Sequence, residues 1–149
     1  VVQSALVILR NYIEKSTRHF TLTIDDDLPQ VSINPQEIEE VVINLLQNAC
    51  DSLADHEKSV SLRISRNPDA NELVLKFTDQ GMGMSPEIQA QIMTPFFTTR
   101  PNKGGTGLGL SISKKIVGEH GGNVRIESKP GEGTLVIVTL PACGANKGK

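Results

Sequence analysis

The sequence predicts an α+β domain, a mixed and largely antiparallel sheet covered on one face by helices, and three observations lead there. Strand-like alternation and helix-like spacing both occur along the chain, and they do not alternate strictly as a βαβ series would. The last two strand patterns are near neighbours separated by a short turn. The length suits one such domain: 149 residues, 38% of them hydrophobic before 13 glycines are counted. A chain of that size buries roughly 68–70% of its unfolded surface, so a core needs no disulfide or metal.

The elements follow in order. Val2, Leu6, Leu9 and Ile13 mark a helix over about 1–15; Val1 stands where an initiator Met would, which points to a segment of a longer chain. Phe20, Leu22 and Ile24 alternate as a strand, broken by Asp25 to Pro29. Asn34 before Pro35, with Glu37 three residues after the cap, starts a helix expected to reach about Ala54. Val60 to Ser65 and Leu73 to Asp79 read as a hairpin turned through Asn67 to Asn71. A short helix from Ser85 or Pro86 precedes an irregular glycine-rich segment, Thr94 to Gly107. A helix from Leu108 to about His120 is stopped by Gly121-Gly122. Asn123 to Ser128 and Thr134 to Leu140 form a final hairpin turned at Pro130-Gly131, and Ala142 to Lys149 reads as a disordered tail.

Composition removes several function classes. The aromatics are Tyr12, Phe20, Phe77, Phe96 and Phe97, too few for a platform that stacks successive bases, and 15 basic against 17 acidic residues give a net charge of −2, so no nucleic-acid partner is expected. Cys50 and Cys143 lie far apart without C-x-x-C spacing, which excludes a readable zinc site or disulfide framework and suits a reducing compartment. The longest apolar run, Ala5 to Leu9, is far below the roughly 20 residues a bilayer requires, so no membrane contact by this domain is expected.

Three features carry chemistry. In the helix from Pro35, Ile38, Val42, Leu45, Leu46, Ala49, Cys50 and Leu53 share one arc, while Glu37, Glu40, Asn44, Asn48, Asp51 and Asp55 fall on the opposite stripe. Two Asn one turn apart in a helix interior are unusual, since Asn competes with the backbone for hydrogen bonds. Their amide oxygens suit Mg²⁺, which takes few protein ligands and borrows the rest from substrate phosphates; taken alone the pair is a weak signal, and two surface amides explain it better. Second, Asp79 continues the buried parity of Leu73, Leu75 and Phe77, and a buried carboxylate needs donors. Gly81 and Gly83 allow close approach of a flat ligand, although a strand-ending turn accounts for them as readily. Third, Gly104 to Leu110 is a glycine run entering a helix, where free N–H groups and the helix dipole favour phosphate. It lacks the P-loop Lys and the G-x-G-x-x-G spacing, and Leu108 and Leu110 argue against a solvated linker.

Together these segments resemble the motif set of sensor histidine kinases. Asn44-Leu45-Leu46-Gln47-Asn48-Ala49 is similar to the N box and Asp79-Gln80-Gly81-Met82-Gly83 to the G1 box. Pro95-Phe96-Phe97-Thr98-Thr99-Arg100 is similar to the F box, and Gly105-Thr106-Gly107-Leu108-Gly109-Leu110 to the G2 box. The resemblance spans about Ile33 to Pro141 and implies the Bergerat-type two-layer α/β sandwich, with a flexible ATP lid, that gyrase B, Hsp90, MutL and these kinases share.

The resemblance assigns roles residue by residue. Asp79, with Thr134, would hold adenine; Asn48, assisted by Asn44, would ligate Mg²⁺ at the triphosphate. Asp51, Gly81, Gly83, Thr98, Thr99, Gly105, Thr106, Gly107, Leu108, Gly109 and Leu110 complete the implied ATP site, with Arg100 or Lys103 as possible γ-phosphate contacts. Gyrase-like relatives have a water-activating Glu where Asn44 stands, so its absence implies weak hydrolysis and transfer to a side chain instead. Val136 departs from the Phe common in the family.

None of the histidines matches the family's phosphoacceptor pattern: His19 precedes Phe20, His120 precedes Gly121, and His56-Glu57 lacks the following Pro. The implied division is therefore 1–18 as a helical connection to a separate dimerisation and phosphoacceptor domain, 19–141 as the ATP-binding catalytic domain, and 142–149 as tail. The implied partners are that His domain and a response-regulator receiver domain, within a homodimeric parent. The expected location is cytoplasmic, with anchoring of the parent in the inner membrane left open. Two alternatives stand beside this reading, a serine kinase of the anti-sigma type and a nucleotide-sensing module that transfers nothing. Phe96 and Phe97 are expected to anchor the lid to the domain or a partner.

Overall fold

The computed structural model describes residues 2–67, 69, 71–91 and 109–142. Its elements run α1 (Val2–Ser16), β1 (His19–Ile24), α2 (Pro35–Asp51), β2 (Ser59–Asn67), β3 (Glu72–Asp79), α3 (Pro86–Gln91), α4 (Gly109–Glu119), β4 (Asn123–Lys129) and β5 (Gly133–Pro141). The five strands form one sheet in the order β1-β2-β3-β5-β4. β1 and β2 are parallel because α2 intervenes between them, and the hairpin-joined pairs β2–β3 and β4–β5, with β3–β5, are antiparallel. The α+β, two-layer expectation therefore holds.

The inner face of the sheet is built in cross-strand rows. Ile64, Leu75, Val138 and Val124 make one row, and Leu62, Phe77, Val136 and Ile126 the next. Nearly all are buried, with Leu62 and Phe77 almost wholly so. Val136 lies directly opposite Phe77, so the ring at 77 supplies aromatic bulk to that row. The third row is Val60, Asp79, Thr134 and Ser128. Polar side chains thus replace apolar ones abruptly at one end of the sheet.

Helix α2 begins as its sequence dictates: the Asn34 side chain accepts from the N–H groups of Gln36 and Glu37 at 3.0 and 3.1 Å, with Pro35 inside the first turn. Its buried face is wider than the predicted arc and includes Val41. The reason is that α2 packs against α1 and α4 as well as against the sheet. The helix also ends earlier than Ala54. Ser52 takes up the cap, and its N–H reaches back to the carbonyls of Asn48 and Ala49.

Helix α1 packs into the same core, with Ala5, Leu9 and Ile13 buried among the α2 residues. Helix α4 stops as expected at Gly121-Gly122: the Gly122 N–H bonds to the Val117 carbonyl at 2.9 Å and the Gly121 N–H to Gly118 at 3.0 Å. Just before that stop, His120 donates from Nδ1 to the Ile116 carbonyl at 2.8 Å and accepts from the Asn34 N–H on Nε2 at 3.1 Å, tying the end of α4 to the start of α2. Ala142, expected in the tail, is instead buried, and its N–H bonds to the Asn71 carbonyl at 3.2 Å. Residues 143–149 lie outside the described residues.

Candidate functional site

The polar row at the end of the sheet is centred on Asp79 and Thr134, which face each other across the β3–β5 ladder. Asp79 is only 7% exposed, and the donors its burial demands are present. Oδ1 accepts from the Gly81 N–H at 2.8 Å and lies 3.1 Å from the Ser52 hydroxyl. That hydroxyl is also 2.8 Å from the Ala49 carbonyl, so its one proton serves both acceptors. Ser52 explains the early end of α2. Leaving the helix lets its hydroxyl reach Asp79 and lets its carbonyl accept from the Met82 N–H at 3.0 Å. Neither Ser52 nor its role was legible in the sequence, where it reads as one more helical residue.

The glycines of this segment are required by close packing. A Cβ on Gly81 would sit 2.0 Å from Ser52 Oγ and 2.8 Å from Asp79 Oδ1. Gly83 has φ +70°, and a Cβ there would meet the Lys129 carbonyl oxygen at 1.9 Å. The turn after β3 is thereby pressed against α2 on one side and β4 on the other. It is pinned further by the Gly131 N–H bonding to the Met82 carbonyl at 2.7 Å, and by Gln89 Nε2 donating to the carbonyls of Met84 and Ser128.

Across the ladder, Thr134 pairs directly with Asp79, which puts the two expected base contacts side by side on one face. Asp79, Thr134, Ser128 and Gln89 line a common cavity of about 500 Å³. Ser128, unmarked by any motif, binds the Thr134 hydroxyl at 2.8 Å.

Helix α2 supplies the second part of the site. Asn44 and Asn48 are half-buried one turn apart, as expected, and neither side chain hydrogen-bonds to another described residue. Asp51 differs: its carboxylate accepts from the Tyr12 hydroxyl of α1. Between these residues lies Cys50, a buried free thiol whose pKa is pushed up to about 11, chiefly by burial and further by the Asp79 charge, against a lowering hydrogen bond from Ser16. No group of three or more His, Cys, Asp or Glu able to hold a metal occurs among the described residues. Any metal here would depend on amide oxygens and a ligand's own anions, which is the donor set Mg²⁺ accepts.

Of the glycine run, Gly109 opens α4 and Leu110 is buried in the core, which accounts for an apolar residue inside that run. Phe96, Phe97, Thr98, Thr99, Arg100, Lys103, Gly105, Thr106, Gly107 and Leu108 lie outside the described residues.

The family model described as "Histidine kinase-, DNA gyrase B-, and HSP90-like ATPase" matches residues 33–143. The chain belongs to that family. Within it the chain is similar to C4-dicarboxylate transport sensor protein DctB of Rhizobium meliloti, 35% identical over 140 residues, covering 94% of this chain and 22% of DctB. Sporulation kinase E of Bacillus subtilis is 31% identical over 141 residues, covering 95% of this chain and 19% of that kinase. The chain thus spans about a fifth of the curated relatives it matches. Among solved structures, the mycobacterial sensor histidine kinase MprB matches with a TM-score of 0.80 at 28% identity, covering 95% of this chain and 91% of that one. The predicted fold and family are both shown. No helix among the described residues is long and apolar enough to cross a membrane.

Proposed function

We propose that this ATPase-family domain binds MgATP and donates the γ-phosphate to a His on a separate dimerisation domain, from which an Asp of a response-regulator receiver is phosphorylated. The observation that carries the reading is the row in which buried Asp79, supported by Ser52 and Gly81, stands beside Thr134 over a cavity. An adenine amino group gives that row the hydrogen-bond donor it is shaped to receive. Asn48, with Asn44, would hold Mg²⁺, whose role is to neutralise charge on the triphosphate and align it for transfer. Two half-buried amides whose side chains hydrogen-bond to no other described residue suit that task. With Asn rather than Glu at 44, the chain has no residue there to activate water, which favours transfer to a protein side chain over hydrolysis.

The relatives named above are a sensor protein and a kinase, and MprB is a sensor histidine kinase, which favours histidine over serine as the acceptor. Residues 1–18 serve as the connection to the acceptor domain of a homodimeric parent, with α1 seated on α2. Arg100 or Lys103 would contact the γ-phosphate, and Asp51 would border the phosphates.

The test is transfer of labelled γ-phosphate from ATP to an added phosphoacceptor His domain. An acid-labile, Mg²⁺-dependent product is expected. An acid-stable phosphoserine product would establish the anti-sigma reading, and tight ATP binding without any product would establish a sensing module.

A further inference from the structure

Ser128, on the edge strand β4, has a hydroxyl with three partners, and their chemistry fixes where each proton goes. The Gly133 carbonyl, at 2.9 Å, can only accept, so the single Ser128 proton goes there. The Met84 N–H, at 2.8 Å, can only donate. At the remaining contact, 2.8 Å to Thr134 Oγ1, either oxygen could donate, and the arrangement that gives every group a partner has Thr134 donating. With its proton committed to Ser128, Thr134 shows the cavity only acceptor lone pairs, next to a carboxylate that also accepts.

We propose that Ser128 is a specificity-determining positioning residue. By holding the Thr134 proton, it keeps the floor of the base pocket an all-acceptor surface that favours a purine with a 6-amino group over one with a 6-oxo group. Without Ser128, the Thr134 hydroxyl turns and donates, and the 6-oxo purine is no longer penalised at that position. This rests on the reading of the Asp79 row as the base site.

The experiment measures affinities of MgATP and MgITP by calorimetry for the unaltered chain and for Ser128→Ala, Ser128→Thr, Thr134→Val and the Ser128→Ala/Thr134→Val pair. Both nucleotides bind the same folded molecules, so any partial folding defect cancels from their ratio. Ser128→Ala is expected to lower the ATP-over-ITP preference about three- to ten-fold, the scale of one hydrogen bond, while Ser128→Thr retains it. The double variant should lose no more preference than Thr134→Val alone, because Ser128 acts through Thr134. Equal weakening of both nucleotides by Ser128→Ala, an unchanged ratio, or additive losses in the double variant would each overturn the proposal. Asp79→Asn separates the two layers of inference: if it leaves ATP affinity intact, the base-site reading itself fails.

Discussion

The two halves of the candidate site differ in how much of their hydrogen bonding is already made. At the sheet end, Asp79, Ser52, Thr134, Ser128 and Met84 are bound to one another or to backbone, and Gly81 and Gly83 are packed too closely to accept a side chain. On α2, Asn44 and Asn48 stand half-buried with no hydrogen bond to another described residue. The first half is preorganised: it meets its ligand with groups whose positions folding has already fixed. On the proposed function, the second would need its ligand's charge, and an ion, to give its polar groups partners. Base recognition should therefore depend on the integrity of the fold, and phosphate recognition on Mg²⁺.

The sharpest way to break this contrast is Asp79→Asn. It removes a charged acceptor and brings an amide NH₂ among groups that donate, so ATP affinity should fall about 100-fold or more, on the order of 3 kcal/mol. Adenosine, which lacks phosphates, should lose a similar factor. If adenosine binds as before while ATP weakens, the two halves have been assigned the wrong way round.

Gly83→Ala should come next in size, acting on stability first. The added Cβ collides with the Lys129 backbone at 1.9 Å, and the φ of +70° strains any residue with a side chain, so a loss of about 2–3 kcal/mol is expected. Thermal unfolding followed by circular dichroism measures it. A melting temperature within about 2 °C of the original would mean that the turn is loose and the base end is not preorganised.

The residues of the base end differ in legibility. Asp79, Gly81 and Gly83 were readable because each breaks a local expectation: a charge on buried parity, and glycines where a strand has just ended. The sheet was readable from alternation and the α2 cap from Asn34-Pro35. Ser52 and Ser128 were not, because a serine hydroxyl fits helix, strand or turn and acquires meaning only from its partners in the fold, among them Asp79 for Ser52, 27 residues away in sequence, and Met84 for Ser128, 44 residues away. The end of α2 was overestimated for the same reason: what stops the helix at Asp51 is Ser52 turning toward β3, a tertiary contact with no local signal. Val41 falls outside the predicted arc because an arc that faces one neighbour is too narrow for a helix that has three.

Asn48→Ala probes the other half with a smaller effect. Losing one oxygen ligand should cost about ten-fold in ATP affinity at saturating Mg²⁺, and Asn44→Ala less, while adenosine affinity stays unchanged for both. Comparing titrations with and without the ion checks this. If Asn48→Ala weakens ATP equally in the absence of Mg²⁺, the amide contacts the nucleotide directly and no ion need be held there.

The smallest effect comes from Cys50, which sits on α2 between the halves and responds to the charge of one of them. Its thiol titrates near 11, chiefly because burial disfavours the thiolate, with the Asp79 charge adding to the rise. The sign for stability follows: the folded chain holds the proton more tightly than the unfolded one, whose thiol titrates near 9.0, so this contribution is intact below that pH and is lost as pH rises through 11. Replacing Asp79 with Asn removes only the Coulombic part, so the Cys50 titration should move down modestly and stay above the ordinary thiol range. The thiolate ultraviolet absorbance of the Cys143→Ser chain, with the chain lacking both thiols subtracted, gives the curve directly. A titration that does not move would mean that Asp79 exerts no field at Cys50, and that the packed base end is electrostatically closed off from the helix that carries the phosphate half.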